Sequence, residues 1–286
     1  MDGCPSGAAL RQGRRRVAVT FRRKIAVTAL AWSAALLMAS PIFLMALTGF
    51  KTDAAVNLGP FTPFTPTLAN FASQNANVGM LRPVVNSVVE ASGGTVLCFL
   101  FALPAAYGLA FHAGRSRNAI LLGMLMTRFM PGVSVLVPMY LIYKAIGLID
   151  TQLGLVLIYA IINLPIVIWM LYSYMRDIPR DILGSARIDG ASVTQQIVFL
   201  LLPLCAPGIA STALLSIVLC WNEAFWSIQM ASAGAAPLSA YIASLSGDPF
   251  AAKFSATSLL AVAPILVIGW IAQRQFARGL TFGAVR

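Results

Sequence analysis

Residues Ile178–Gln196 read IPRDILGSARIDGASVTQQ, a polar tract between two apolar segments that are each long enough to cross a bilayer. Only 10% of the chain is charged, so polarity this dense has to meet water or a protein partner. Pro179 suits the first turn of a helix, where its missing N–H would be unpaired in any case. Ile182, Leu183 and Ala186 then share one small apolar patch, flanked by Arg180 and Arg187. Asp189-Gly190 marks the helix stop, because glycine tolerates the left-handed backbone found there. Ser192-Val193-Thr194-Gln195 has the S-x-x-Q pattern of a capping box and starts a second helix. The stretch predicts helix, glycine turn, helix at a membrane face, either as an ordinary interhelix loop or as a short helix shaped for another protein's groove.

Composition sets the class. The chain has 286 residues, 59% of them hydrophobic, and a mean hydropathy of +0.82. A soluble domain carries about 25% charged residues, so this is an integral membrane protein. A net charge of +11 would suggest nucleic acid in a soluble protein, but here the basic residues follow the membrane topology and no nucleic-acid partner is expected. Cys98, Cys205 and Cys220 lie in apolar runs, Cys4 lies near the start, and no C-x-x-C pair occurs; neither disulfide nor metal is expected.

Met1–Lys24 is a basic segment. The next 26 residues, Ile25–Phe50, are uncharged, too long for a signal-peptide core of about 7–15 residues, and read as a retained first span. Lys51–Leu81 is rich in Pro, Asn and Thr, which predicts an external loop without regular helix. Further spans follow at roughly Pro83–Phe111, Ala119–Ala145, Leu153–Met175, Ile197–Trp226 and Ser255–Gln273, six in all. With the N-terminus in the cytoplasm, fifteen of the twenty Lys and Arg fall on the inner side, which places both termini and the Gly190 loop (about 176–196) in the cytoplasm. Residues 25–286 form one all-α membrane domain. Pro131 and Pro138 in the third span, and Pro203, Pro207 and Gly208 in the fifth, are candidate breaks, which transporters tolerate where they face protein or a cavity.

Glu90, Arg128 and Glu223 fall inside predicted spans, where a charge costs a few kcal/mol unless it pairs or lines a cavity. At 1.5 Å per residue, Arg128 lies about 14 Å from the inner edge and Glu90 about 12 Å from the outer edge, so an ion pair is geometrically possible. Such a pair could fix helix packing or serve a pathway. Trp221-Asn222-Glu223-Ala224-Phe225-Trp226 combines aromatic faces with an amide and a carboxylate, the mixture that sugars and polyols need; an interfacial aromatic belt is the alternative. Candidate solute-path residues are therefore Trp221, Asn222, Glu223, Trp226, Glu90 and Arg128. The chain has no G-x-x-x-x-G-K-[ST], so it binds no ATP by a P-loop and needs no cofactor of its own. His112, the sole histidine, reads as an interfacial residue at the inner end of the second span, and H-E-x-x-H metal chemistry is excluded.

SARIDGAS (185–192) followed by LLLPLCAPG (200–208) resembles the cytoplasmic coupling loop of ABC-importer permeases, whose Glu-Ala-Ala triplet falls here on Gly184-Ser185-Ala186 and lacks its acid. MPGVSVLVPMYLIYKAIGLIDTQLGLVLIYAIINLPIVIWMLYSYMRDIP (130–179), WNEAFW and the basic ending RQFARGLTFGAVR are similar to permease subunits of maltose-type carbohydrate importers. APLSAYIAS and GLTFGAVR are nearest to mannitol and sorbitol permeases. The resemblance implies a type I ABC importer permease fold in a bacterial inner membrane. It also implies a second homologous permease, an ATPase dimer that binds ATP-Mg and an extracytoplasmic solute-binding protein. The coupling residues it implies are Ile182, Leu183, Gly184, Ala186, Arg187, Asp189, Gly190 and Ala191. The expected function is import of a sugar or sugar alcohol, with no catalysis by this chain. The competing readings are a permease for another small solute, a passive channel, and a membrane-embedded enzyme using Glu90, Asp150 or Glu223.

Overall fold

A computed structural model of the protein describes residues 21–72, 80–232, 234–245 and 251–282, and every regular element within them is a helix. Cys4, most of the basic segment 1–24 and the end of the basic C-terminal tract lie outside these residues. Helix α1 (Phe21–Gly49) is exposed from Lys24 to Ala39 and meets the rest of the chain mainly through its far end, where Gly49 abuts Ala256. A one-turn helix, α2 (Asp53–Asn57), follows; it forms because Thr52 caps it and the prolines begin only at Pro60. The expected external loop thus contains one helical turn. Its described part winds around Lys51, which is fully buried, with Nζ donating to Gly59 O and Pro60 O at 2.8 Å and lying over the Phe64 ring.

Helices α3 (Leu81–Phe111) and α6 (Gln152–Met175) make the most extensive helix pair. On α3, Ala91, Gly94, Cys98, Ala102 and Ala106 recur every three or four residues, giving a narrow stripe of small side chains that lets α6 approach closely. A Cβ on Gly94 would lie 3.0 Å from Tyr159 Cβ. In lipid such packing holds helices together by close van der Waals contact, since burying apolar surface away from apolar tails gains little. Cys98, Cys205 and Cys220 are buried free thiols in this interior.

Three helices are long and apolar enough to span a membrane: Lys24–Gly49, Leu81–Phe111 and Gln152–Met175. Two further spans are broken. Helix α4 (Arg117–Phe129) and α5 (Gly132–Ala145) meet at 87° across Met130-Pro131, while Pro138 sits inside α5 without ending it. Helix α8 (Val193–Leu204), which contains a π-helical turn over Gln196–Leu201, meets α9 (Ala206–Trp221) at 89° across Cys205, between Pro203 and Pro207. The third and fifth predicted spans are therefore bent pairs, not continuous rods. The described residues give three candidate spans, or five if each bent pair counts as one. Helix α12 (Ala251–Phe282) adds an apolar stretch, Ala251–Val267. The remaining helices are α7 (Arg180–Ile188), α10 (Phe225–Met230) and α11 (Leu238–Ser244).

Two glycines report how tightly different parts of this frame are packed. Gly208 lies against the Tyr174 ring, and a Cβ there would fall 2.3 Å from Tyr174 Cγ, whereas a Cβ on Gly184 in α7 would meet nothing within 4 Å. Gly208→Ala is expected to destabilise the protein by about 1–3 kcal/mol. Gly184→Ala should stabilise it by roughly 0.5–1 kcal/mol through helix propensity. Thermal unfolding in detergent reads both; equal shifts of the same sign would contradict this packing.

Candidate functional site

The α4–α5 break leads to a cleft of about 450 Å³ lined by Arg128, Gly132, Ile161, Ile162, Pro165, Glu223, Phe225 and Trp226, among others. Its walls are built by prolines. Pro131 ends α4, and Pro165 within α6 offers no N–H to Ile161 O, leaving that carbonyl without its intrahelical donor. Arg128, in the last turn of α4, donates Nη1–H to Ile162 O at 2.6 Å. Gly132, at the opening of α5, lets the Phe225 ring come close; a Cβ there would be 2.8 Å from Phe225 Cε1. Phe225 and Trp226 form an edge-to-face pair with ring centroids 5.3 Å apart. Broken backbone at membrane depth survives only where it lines protein or a wet cavity, and this cleft meets that condition.

The structure sorts the expected path residues into two groups. Arg128, Glu223 and Trp226 share the cleft. Trp221 instead donates Nε1–H to Ala261 O at 3.3 Å, and Asn222 bonds back to Val218 O at 2.8 Å. WNEAFW is not the tail of a helix but the turn joining α9 to α10. Glu223 Oε1 accepts the Trp226 N–H at 3.2 Å, and Glu223 O accepts the Ser227 and Ser239 hydroxyls.

The Glu90–Arg128 ion pair that their depths allowed does not form: among the described residues the one ion pair is Arg176–Asp177. Equal depth did not fix direction. Arg128 faces the cleft, while Glu90 is fully buried on α3, one turn before Gly94, with no hydrogen-bond partner for either carboxylate oxygen. Elsewhere in the same interior, Thr95 pairs with Ser216 at 3.1 Å and Asn163 donates to Cys220 Sγ at 3.2 Å.

At the end of the molecule carrying Arg176, Arg180 and Arg187, Pro179 precedes α7 as its N-cap. The helix stops as its sequence predicts: Gly190 adopts φ +80°, Ala191 N–H donates to Ala186 O at 2.9 Å and Gly190 N–H to Arg187 O at 3.1 Å. Both capping-box bonds between Ser192 and Gln195 are present. The apolar patch divides, however. Leu183 is buried in the protein's own core, Ala186 is half-buried, and Ile182 is exposed together with Ile188, which sequence reasoning passed over. Arg187, though exposed, bonds to its own chain. Its Nη2 donates to Tyr107 OH at 3.3 Å and lies 3.2 Å from His112 Nε2, while Tyr107 OH donates to Gln196 Oε1 at 2.8 Å and Gln196 Nε2 to Ala191 O at 2.8 Å. Helix α7 is thereby tied to α3 and to the π-helical start of the fifth span. Gly184, Asp189 and Gly190 remain at or near the surface.

At the opposite end, Asp150 clamps the segment between α10 and α11. With φ +56°, it accepts N–H bonds from Ser232 (2.8 Å), Gly234 (2.9 Å) and Ala235 (3.0 Å), and the Ser232 hydroxyl (2.9 Å). Asn86 Nδ2–H donates to Gly234 O and Ala236 O, and Ser87 Oγ accepts Leu238 N–H. Burial works against the Asp150 charge, but the Ala235, Ser232 and Gly234 amides and the Ser232 hydroxyl outweigh it and hold the carboxyl down at about 2. No motif announces this clamp, and Asp150 entered the sequence reading only as a candidate acid of the enzyme alternative.

The family described as "Binding-protein-dependent transport system inner membrane component" matches residues 99–281 of this chain. The permease protein of the sulfoquinovosyl glycerol transport system of Agrobacterium fabrum is 30% identical over 251 residues, spanning 86% of this chain and 88% of that one. That of the trehalose transport system of Mycobacterium tuberculosis is 29% identical over 251 residues, spanning 86% and 92%. A chain from the crystal structure of a bacterial ABC transporter involved in the import of the acidic polysaccharide alginate shares the fold, with a TM-score of 0.73, 20% identity and coverage of 88% and 95%. The chain belongs to this family of inner-membrane transport components, and it is a multi-pass membrane protein.

A carboxyl held below the usual aspartate value of about 4 stabilises the fold above that pH, and the contribution fades as pH falls towards about 2. Asp150→Asn is therefore expected to lower the melting temperature at pH 7, with the gap to wild type closing between about pH 4 and 2. A gap that stays constant with pH would contradict the clamp.

Proposed function

We propose that this inner-membrane component is one of two permease subunits of an ATP-driven importer that moves a sugar or sugar alcohol into the cytoplasm. The observation that carries the reading is α7. A short helix ending in a glycine turn, it projects Ile182 and Ile188 outward while Arg187 and Leu183 fasten it to the membrane body. A helix presented in that way suits a groove on a separate ATPase subunit, and because it is tied to α3 and α8 it would pass the groove's motion into the broken fifth span. Ile182, Gly184, Asp189, Gly190 and Ala191 would face or shape the ATPase contact; Leu183, Ala186 and Arg187 would hold the helix to its own chain.

The chain crosses the membrane six times in this reading, with α12 as the sixth span and both termini and α7 in the cytoplasm. Domain 25–286 is the translocating unit and 1–24 its basic cytoplasmic lead. The supporting charge bias is fifteen of twenty Lys and Arg on that side. ATP-Mg binds only to the ATPase pair, a sister permease completes the pathway, and an extracytoplasmic binding protein delivers solute to the end where Asp150 sits. Among the similar proteins, the substrates named are sulfoquinovosyl glycerol, trehalose and alginate, which supports a carbohydrate; sugar alcohols rest on APLSAYIAS and GLTFGAVR alone. The solute passes the cleft of Glu223, Trp226 and Arg128, where a carboxylate and an aromatic pair can read hydroxyls and C–H faces.

The test is the complete importer in proteoliposomes with ATP inside and binding protein outside. Gly190→Val, which forces a β-branched residue to φ +80°, is expected to cut sugar uptake at least about tenfold while the complex still assembles. Glu223→Ala should lower uptake with ATPase subunits still bound. Normal uptake by Gly190→Val, or flux without ATP, would overturn the proposal.

A further inference from the structure

Resting on the importer reading above, we infer that the transported sugar carries an acidic group, and that Arg128 is the residue that receives it. Arg128 is the one cationic side chain lining the cleft among the described residues. Its guanidinium has five N–H donors, and the protein supplies a partner for one of them, Ile162 O. Among the described residues no carboxylate pairs with it: Glu90 is buried away on α3, and Glu223, which lines the same cleft, forms no ion pair with it. A lone cation at membrane depth is costly and persists where it serves a site.

The two charges differ in what they still need. Glu223 already holds the Trp226 amide through Oε1, so part of its accepting capacity is used. The Arg128 fork keeps four donors, in a planar array that matches a carboxylate or sulfonate in bidentate fashion. A solute bridging the cleft would put its acid on Arg128 and turn hydroxyls towards Glu223. Phe225 and Trp226 offer an apolar face between them. The same solute reversed would set its acid against Glu223, so the cleft also fixes direction. A volume of about 450 Å³ accommodates a small saccharide. A neutral sugar or polyol would leave most of the guanidinium unpaired, the situation in which polar sites discriminate most strongly.

The experiment uses the whole reconstituted importer and three radiolabelled probes: glucuronosyl-glucose, the neutral disaccharide cellobiose, and mannitol. Wild type should import the uronate and prefer it. Arg128→Gln should lower uronate uptake about tenfold or more, the scale of a lost charge-assisted pair, and remove the preference for the uronate over cellobiose. Arg128→Lys keeps the charge but loses the fork, and should lower uronate uptake several-fold; it decides the matter if the Gln variant fails to fold. Equal loss for acidic and neutral probes in the Lys variant would overturn the inference, as would loss of the sister permease from the Arg128→Gln complex. Import of only neutral probes by wild type would overturn it while leaving the importer reading intact. Import of no sugar at all would overturn both.

Discussion

The structure depends on one rule of the lipid interior: a backbone amide or carbonyl left there without a partner or water costs several kcal/mol. Intact α3 and α6 obey it with their own hydrogen bonds and pack through a stripe of small residues. The third and fifth spans break it, at Met130-Pro131 and at Cys205, and Pro165 loosens α6 in addition. Breaks of this kind need a polar or wet surface to face. The cleft beside Arg128 and Glu223 supplies such a surface to the Met130-Pro131 break.

Rigid parts and broken parts are joined in a way that suits transport. Arg187, Tyr107 and Gln196 tie the exposed helix α7 to the end of α3 and to the π-helical turn that opens the fifth span. A π-helical turn spaces backbone bonds more loosely and often marks a functional position within a helix. Displacement of α7 therefore has a hydrogen-bonded route into α8. At the far end, Asp150, Asn86 and Ser87 hold the segment before α11, and Ser239 on α11 bonds Glu223 O in the cleft. The far end of the molecule thus reaches the cleft through Ser239, while α7 reaches the start of the fifth span.

Much of this could be read from residue order, and the failures follow a pattern. Local features were legible: the Gly190 stop, the Ser192–Gln195 capping box, the Pro131 break and the apolar runs all depend on neighbours in sequence. Facing was not. Depth along a helix placed Glu90 and Arg128 at compatible levels, yet the direction of each side chain depends on how helices turn about one another, and an 87° bend reorients the whole of α4 against α5. The same reason split the Ile182, Leu183, Ala186 patch, since one face of α7 packs on its own chain before any partner can claim it. The Asp150 clamp joins residues more than eighty positions apart and has no periodicity to reveal it.

The central claim is that the broken helices line a watery cleft within an apolar body. The most direct measurement is labelling by a membrane-impermeant thiol reagent at single cysteines, with Cys4, Cys98, Cys205 and Cys220 replaced. Val135→Cys and Ile161→Cys, in the cleft, should react quickly, and Leu100→Cys, exposed on the outer face of α3, should resist. Equal resistance at all three positions would mean that the cleft is closed by lipid or protein, and would contradict the account.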